Sequence, residues 1–287
     1  MLMENLKDKI AYIGIMALYG TTGIIKKFIP FSSSFISFTR AVIALALILL
    51  VLIVKKKRID FKGVKRNLPY LTLVGLLLGL NWIAYFEACN YTTVAKASLC
   101  YYMAPVIIIA LSPILYKEKL GVKKLLCVLA AVIGMVMVSG VLTDSTHGDG
   151  KGIAIGLGAA MIYALVIIFS RKITDIPSYD KTAIQMAVAA MILLPGVLTN
   201  GEPAVENATV IQWILLIVIG AVNTGIAYII YFDKITKLKA QTIAIFAYAD
   251  PVVSVLLSAL ILKEPLGIYG IMGAVLIIGA MVINELG

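Results

Sequence analysis

Two charged side chains stand deep inside long apolar stretches of this chain, Asp250 and Arg40. Asp250 lies ten residues into the stretch 240–262, within the segment Phe246 to Gly267, FAYADPVVSVLLSALILKEPLG. A carboxyl surrounded by hydrocarbon is costly, so it marks an ion, substrate or proton site by default. Pro251 beside it removes a helix hydrogen bond, and the carbonyls left without a donor there become extra ligands. Arg40 lies eight residues into the stretch 32–54, about 12 Å down at the helical rise per residue. A charge at mid-span costs about 2.5–3.5 kcal/mol to insert, so Arg40 should face inward with a partner. Glu87 and an anionic ligand are both open as that partner. Glu87 and Asp233 end their own stretches, either as gate residues or as solvated helix-end charges.

Uncharged candidates gather around these groups. Tyr101, Tyr102 and Tyr248 lie well inside their stretches, where a phenol offers both an apolar body and a hydrogen bond. Tyr85, Trp82, Tyr228 and Tyr231 stand nearby in sequence, and Tyr19 and Tyr163 correspond at a shift of 144. Asn81 and Asn223 put amides among apolar neighbours. Together these predict a substrate-binding or proton-coupling site. Metal or histidine chemistry is not expected: His147 is the only histidine, and Cys89, Cys100 and Cys127 lack ligand spacing. No nucleotide-binding motif, phosphate-cradling loop or soluble domain is present, which argues against an ATP-driven pump, and neither an intramembrane histidine nor paired acids at one depth points to an enzyme; no cofactor is expected.

The elements that must carry these residues follow from composition. The chain has 287 residues, 61% of them hydrophobic and 14% charged, with a mean hydropathy of +1.02. A soluble domain cannot hide that much apolar surface, so lipid is the expected solvent. In lipid, helices satisfy their own backbone and open sheets do not. Ten spans fit, near 9–29, 32–54, 69–90, 94–116, 120–141, 151–172, 179–199, 210–234, 240–262 and 266–284. The breaks between them fall at Pro30, Lys55–Arg58, Pro69, Thr143–Lys151, Pro177 and Asn200–Thr209. With a cytoplasmic N-terminus, nineteen lysines and arginines face inward and five outward, which sets both termini in the cytoplasm of a cell or inner-membrane protein. The net charge of +10 is therefore a membrane signal and not a nucleic-acid one.

The chain also repeats itself. At a shift of 146 residues, Tyr85-Phe86-Glu87 meets Tyr231-Phe232-Asp233, Tyr102 meets Tyr248, and Pro105 meets Pro251. Ser112 meets Ser258, Lys117-Glu118 meets Lys263-Glu264, and Leu120-Gly121 meets Leu266-Gly267, without a gap over some 37 positions. Residues 1–142 and 151–287 are thus two copies of five spans in one membrane domain. Five is odd, so the second copy must enter the membrane inverted, the architecture of many secondary transporters. Repeated features serve the architecture: Pro105 and Pro251 as hinges, Glu118 and Glu264 as helix caps. Asp250 is unrepeated, since Ala104 stands at its matching position. Small-residue rows predict close helix contacts at Gly75/Gly79 and at Gly152/Gly156/Ala160/Ala164. Gly267, Gly270 and Gly273 suggest a homodimer through spans 5 and 10.

Five plus five spans, a proline midway along spans 4 and 9, and the paired Pro…Lys-Glu-x-Leu-Gly run resemble the drug/metabolite transporter superfamily, its EamA-type exporter branch in particular. The resemblance covers the whole chain. It implies that spans 1–4 and 6–9 surround a cavity, that spans 5 and 10 are peripheral, and that substrates are small organic metabolites such as amino acids. The expected function is secondary active transport of a small polar metabolite by alternating access, coupled to protons or another gradient. A zwitterion would use Arg40 for its carboxylate and Asp250 with the tyrosines for its ammonium. A cationic amine or quaternary ammonium compound would need only the acid and the aromatics. A non-transporting scaffold is the remaining alternative.

Overall fold

The computed structural model describes residues 2–91, 97, 100–104, 106–108, 111, 121–138, 150–200, 206–261 and 268–285. Helix fills the expected spans wherever they fall on described residues, apart from their end residues and short breaks in spans 4 and 9. Among the described residues there is no strand. Among the described residues, five helices are long and apolar enough to cross a membrane: Ser33–Val54, Phe61–Ala88, Gly150–Ser170, Ser178–Thr199 and Val210–Lys237. Of the residues singled out above, Pro105, Ser112, Lys117, Glu118, His147, Lys263, Glu264 and Gly267 lie outside the described residues.

Local chemistry sets the helix ends. Ser32 caps span 2, its hydroxyl accepting from the Phe35 N–H at 3.2 Å. That helix closes with Lys56 in the left-handed region (φ 49°) and the Lys57 N–H on the Leu52 carbonyl at 2.9 Å, the bond pattern of a Schellman stop. Asp60 then caps the next helix, accepting from the Gly63 N–H at 2.9 Å. This helix runs Phe61–Tyr91 with Pro69 inside it, so the break expected at Pro69 is absent. The reason is exposure: the carbonyl one turn earlier loses its donor where water can replace it. Span 8 opens on a capping box, Thr209 with Gln212.

Span 8 departs most from the expectation of a plain helix. Between the α-helical pieces Val210–Val218 and Ala227–Lys237, residues Ile219–Ile226 wind as a π-helix. The segment IGAVNTGI is rich in weak helix formers, and its glycines lie where span 2 comes close. A Cβ on Gly220 would stand 2.6 Å from the Ile43 Cβ.

The chain forms two compact units, and each draws on both sequence halves. Unit 1 comprises Met1–Ile24, Ala84–Ala164 and Lys237–Gly287; unit 2 comprises Ile25–Ile83 and Leu165–Thr236. Within unit 1, span 5 (Val122–Val138) packs on span 10 (Ile268–Glu285), and a Cβ on Gly134 would meet the Gly273 carbonyl at 2.7 Å. Gly273, one of the glycines expected at a dimer face, is thus buried inside its own chain. The row Gly152, Gly156, Ala160, Ala164 is buried as well, with Gly156 beside Cys100 of span 4. Within unit 2, span 2 packs on span 7 and on the π-segment. Gly75 and Gly79 of span 3 sit against Gln185, Val188, Ala189 and Ile192 of span 7.

Candidate functional site

In unit 1 the site is built on a broken helix. Span 9 is two helices, Ala240–Phe246 and Ala249–Ile261, with a turn at Ala247–Tyr248. Pro251 explains the break, because it has no N–H for the Ala247 carbonyl. That carbonyl instead accepts from the Asp250 N–H at 3.2 Å, and the Tyr248 N–H tightens onto the Ile245 carbonyl at 3.2 Å. Span 4 breaks at the matching place, Tyr102–Met103. The breaks bring two repeat mates together: the Tyr248 hydroxyl donates to the Tyr102 carbonyl at 3.2 Å. The Tyr102 hydroxyl in turn hydrogen-bonds the Asp250 carboxylate, which is half-buried. Tyr12 of span 1, fully buried, lies within electrostatic range of the same carboxylate.

A run of rings continues from Tyr102. Tyr101 is 5.9 Å from Tyr102, 4.9 Å from Tyr85, and stacked on Tyr163 at 5.4 Å and 27°. Four of the predicted tyrosines therefore join into one cluster next to Asp250, with Tyr248 bonded beneath it. Tyr19 and Glu87 belong to the same unit, both half-buried.

Unit 2 holds the base. Arg40 is 7% exposed; its Nε donates to the Thr224 hydroxyl at 3.0 Å, and its guanidinium lies over the Trp82 ring at 4.4 Å. Thr224 passes its own proton to the Ile219 carbonyl at 2.8 Å, five residues back, so the π-turn is what aims its hydroxyl. Trp82 shares a side-chain hydrogen bond with Tyr228, and their rings meet edge to face at 6.1 Å. Among the described residues of unit 2, no carboxylate lies within ion-pair distance of Arg40. Asn81 and Asn223 are buried in this unit too.

Asp233 anchors a separate charge cluster at the end of span 8. Lys234 Nζ is 2.8 Å from its Oδ2, and Ser178 Oγ donates to its Oδ1 at 3.5 Å. Lys181, buried, donates to the Phe232 carbonyl at 3.1 Å. Asp233 thus ties span 7 to span 8 and is more than a solvated end.

Sequence reasoning missed Tyr12 and Thr224. Both are unrepeated: at the shifts that pair Tyr19 with Tyr163 and Trp82 with Tyr228, their positions in the other half hold Gly156 and Leu78. The asymmetry argument that selected Asp250 would have selected them also. The π-turn that makes Thr224 useful leaves no such trace.

A chain whose apolar helices carry the acid Asp250 and the base Arg40, each beside aromatic rings, has the make-up of a multi-pass membrane protein. The model of the EamA-like transporter family matches it twice, over residues 9–140 and 150–285, and the chain belongs to that family. The uncharacterized transporter YxxF of Bacillus subtilis is 27% identical over 225 residues, covering 78% of this chain and 71% of the relative. An uncharacterized transporter of Archaeoglobus fulgidus is 28% identical over 218 residues, 75% of this chain and 76% of the relative. YetK of Bacillus subtilis, also named an uncharacterized transporter, is 27% identical over 293 residues, 96% and 86% of the two chains. A crystal structure 18% identical in sequence shares the fold at a TM-score of 0.85 over 98% of both chains.

Proposed function

We propose that this chain is a secondary active transporter of a small polar metabolite, an amino acid or related zwitterion, working by alternating access and coupled to protons or another gradient. The observation that carries the reading is Asp250: an unrepeated carboxyl at a helix break in an apolar span, hydrogen-bonded to Tyr102 and flanked by tyrosines. Such a group binds a proton or a cationic group, and each loading changes the charge that the span must carry through the membrane. In unit 2, the buried guanidinium of Arg40 has the sign that the carboxylate end of a zwitterion requires. Transporter folds with inverted repeats hold their sites near the midplane at broken helices. That matches the breaks at Ala247–Tyr248 and Tyr102–Met103.

The tilted pair Tyr85–Tyr101 and the stacked pair Tyr101–Tyr163 favour a second reading, a cationic amine held by cation–π attraction beside the acid. Proteoliposome uptake of a panel of radiolabelled amino acids and amines, with and without a pH gradient, separates the two. For the substrate so found, Asp250→Asn should abolish the response to the pH gradient. Wild-type uptake with an unchanged pH response in that variant would sink the role given to Asp250.

A further inference from the structure

Within unit 1, an open groove of about 810 Å³ runs between spans 5 and 10. Its walls include Leu126 and Ala130 from span 5 and Val275, Gly279 and Ile283 from span 10. Lys123, exposed, is the one charged residue among the described residues that line it. Among the described residues, no acid lies within ion-pair distance of Lys123. Beyond Ala130 the two helices close up, where a Cβ on Gly134 would meet the Gly273 carbonyl at 2.7 Å. Lys123 lies eleven residues before that contact and Ile283 ten residues after it, yet both line the groove. The groove thus runs from a closed apolar end to a basic one, about 16 Å away at the helical rise per residue. Gly279 leaves room in its wall. Gly134 has a backbone carbonyl against it, whereas a Cβ on Gly279 would meet nothing within 4 Å. Glycine weakens a helix, and no close neighbour within the chain requires one at this position.

A second copy of the chain fits this shape poorly. A two-fold partner presents the same concave wall, which cannot fill its own image, and brings two Lys123 ammoniums to one level. An acyl chain is narrow and flexible, and one leaflet of hydrocarbon is about 15 Å deep, half of a ~30 Å core. Groove and leaflet agree in length. Lipid tails are apolar everywhere, so hydrophobicity alone gives the groove no advantage over the bulk bilayer. Contact on two walls and the charge of Lys123 supply it. In sequence the start of span 5 holds Lys117, Lys119, Lys123 and Lys124 against Glu118, and span 10 ends on Glu285, four cations to two acids. Such an end attracts an anionic headgroup. We propose that the groove between spans 5 and 10 binds an anionic phospholipid, one acyl chain lying along Gly279 and the phosphate on Lys123. The site rests on the membrane-spanning fold and is independent of the transported substrate.

Full-length protein in detergent, titrated with phosphatidylglycerol or with phosphatidylcholine of the same chains, tests this by native mass spectrometry of the lipid retained. Phosphatidylglycerol should be retained at lower concentration than phosphatidylcholine. Lys123→Gln should reduce that preference about five-fold, the effect of one basic residue near an anionic headgroup. Gly279→Leu should displace the lipid, whatever its headgroup, by filling the groove. Its lipid-free thermal midpoint should be equal or higher, since leucine is the better helix former and the space is open. The proposal is overturned by equal retention of the two lipids, by a preference that survives Lys123→Gln, or by lipid that survives Gly279→Leu. A lowered midpoint for Gly279→Leu also overturns it, since the chain itself would then pack the space. So does a wild-type dimer that Gly279→Leu splits, which would give the groove to a second copy. Uptake and its pH response are read separately, so failure here leaves the role of Asp250 untouched.

Discussion

Asp250 does not act as a bare charge, because Tyr102 holds its carboxylate and is itself placed by the Tyr248 contact to its backbone. Removing the phenol oxygen alone isolates that link. Tyr102→Phe keeps the ring in the tyrosine cluster and deletes the hydrogen bond, which for a charged partner is worth about 1.5–3 kcal/mol. The expected outcome is retained expression and fold with a displaced pH dependence of uptake in proteoliposomes. A pH profile that superimposes on wild type would mean the bond does not bear on coupling. Asp250 and Arg40 were legible in the sequence because charge in an apolar run is rare, and Asp250 also because its repeat mate is alanine. Thr224 was not. A hydroxyl in an apolar span looks like any helix-packing residue until its partner is seen. For Arg40 a pair with Glu87 and an anionic ligand were both open, and within unit 2 the structure gives it a hydroxyl and a ring.

At the scale of elements, the sequence located the helices among the described residues, since lipid leaves the backbone little choice but helix. It was weaker on how a span is interrupted. Pro69 and Pro251 are the same residue type with opposite effects: one sits in an exposed turn of Phe61–Tyr91 and breaks nothing, while the other is buried and splits span 9. Burial makes the difference, because the buried carbonyl must find its donor within the protein. Pro251→Ala tests whether the split is useful. It returns an N–H to the Ala247 carbonyl and should straighten span 9. We expect turnover to fall more than binding, read as a lower maximal uptake rate with nearly unchanged half-saturation. Equal rates in both proteins would make the break a passive kink. The π-segment has no counterpart test from sequence, because a one-residue register change leaves the apolar pattern almost intact.

At the scale of the molecule, the pairing of repeat mates is the strongest pointer to internal two-fold symmetry. Tyr102 meets Tyr248 within unit 1, and Trp82 meets Tyr228 within unit 2, both pairs 146 residues apart. A residue touches its own image only near a two-fold axis. The glycine contacts agree. Gly79 of span 3 meets Ala189 and Ile192 of span 7, and its mate Gly225 of span 8 meets Ala44 and Leu47 of span 2, within one residue of the repeat images. In the proposed topology of five spans per half, such an axis lies in the membrane plane and equivalent loops emerge on opposite sides. Lys57, after span 2, and Glu206, before span 8, are exposed residues in loops that the repeat equates. In a variant with Cys89, Cys100 and Cys127 replaced, Glu206→Cys should react with a membrane-impermeant maleimide added to intact cells. Lys57→Cys should react only after permeabilisation, as its neighbours Lys55, Lys56 and Arg58 demand of a cytoplasmic loop. Labelling of both positions from the same side would mean that the halves are parallel, and the proposed alternating-access architecture would fall with the inverted repeat.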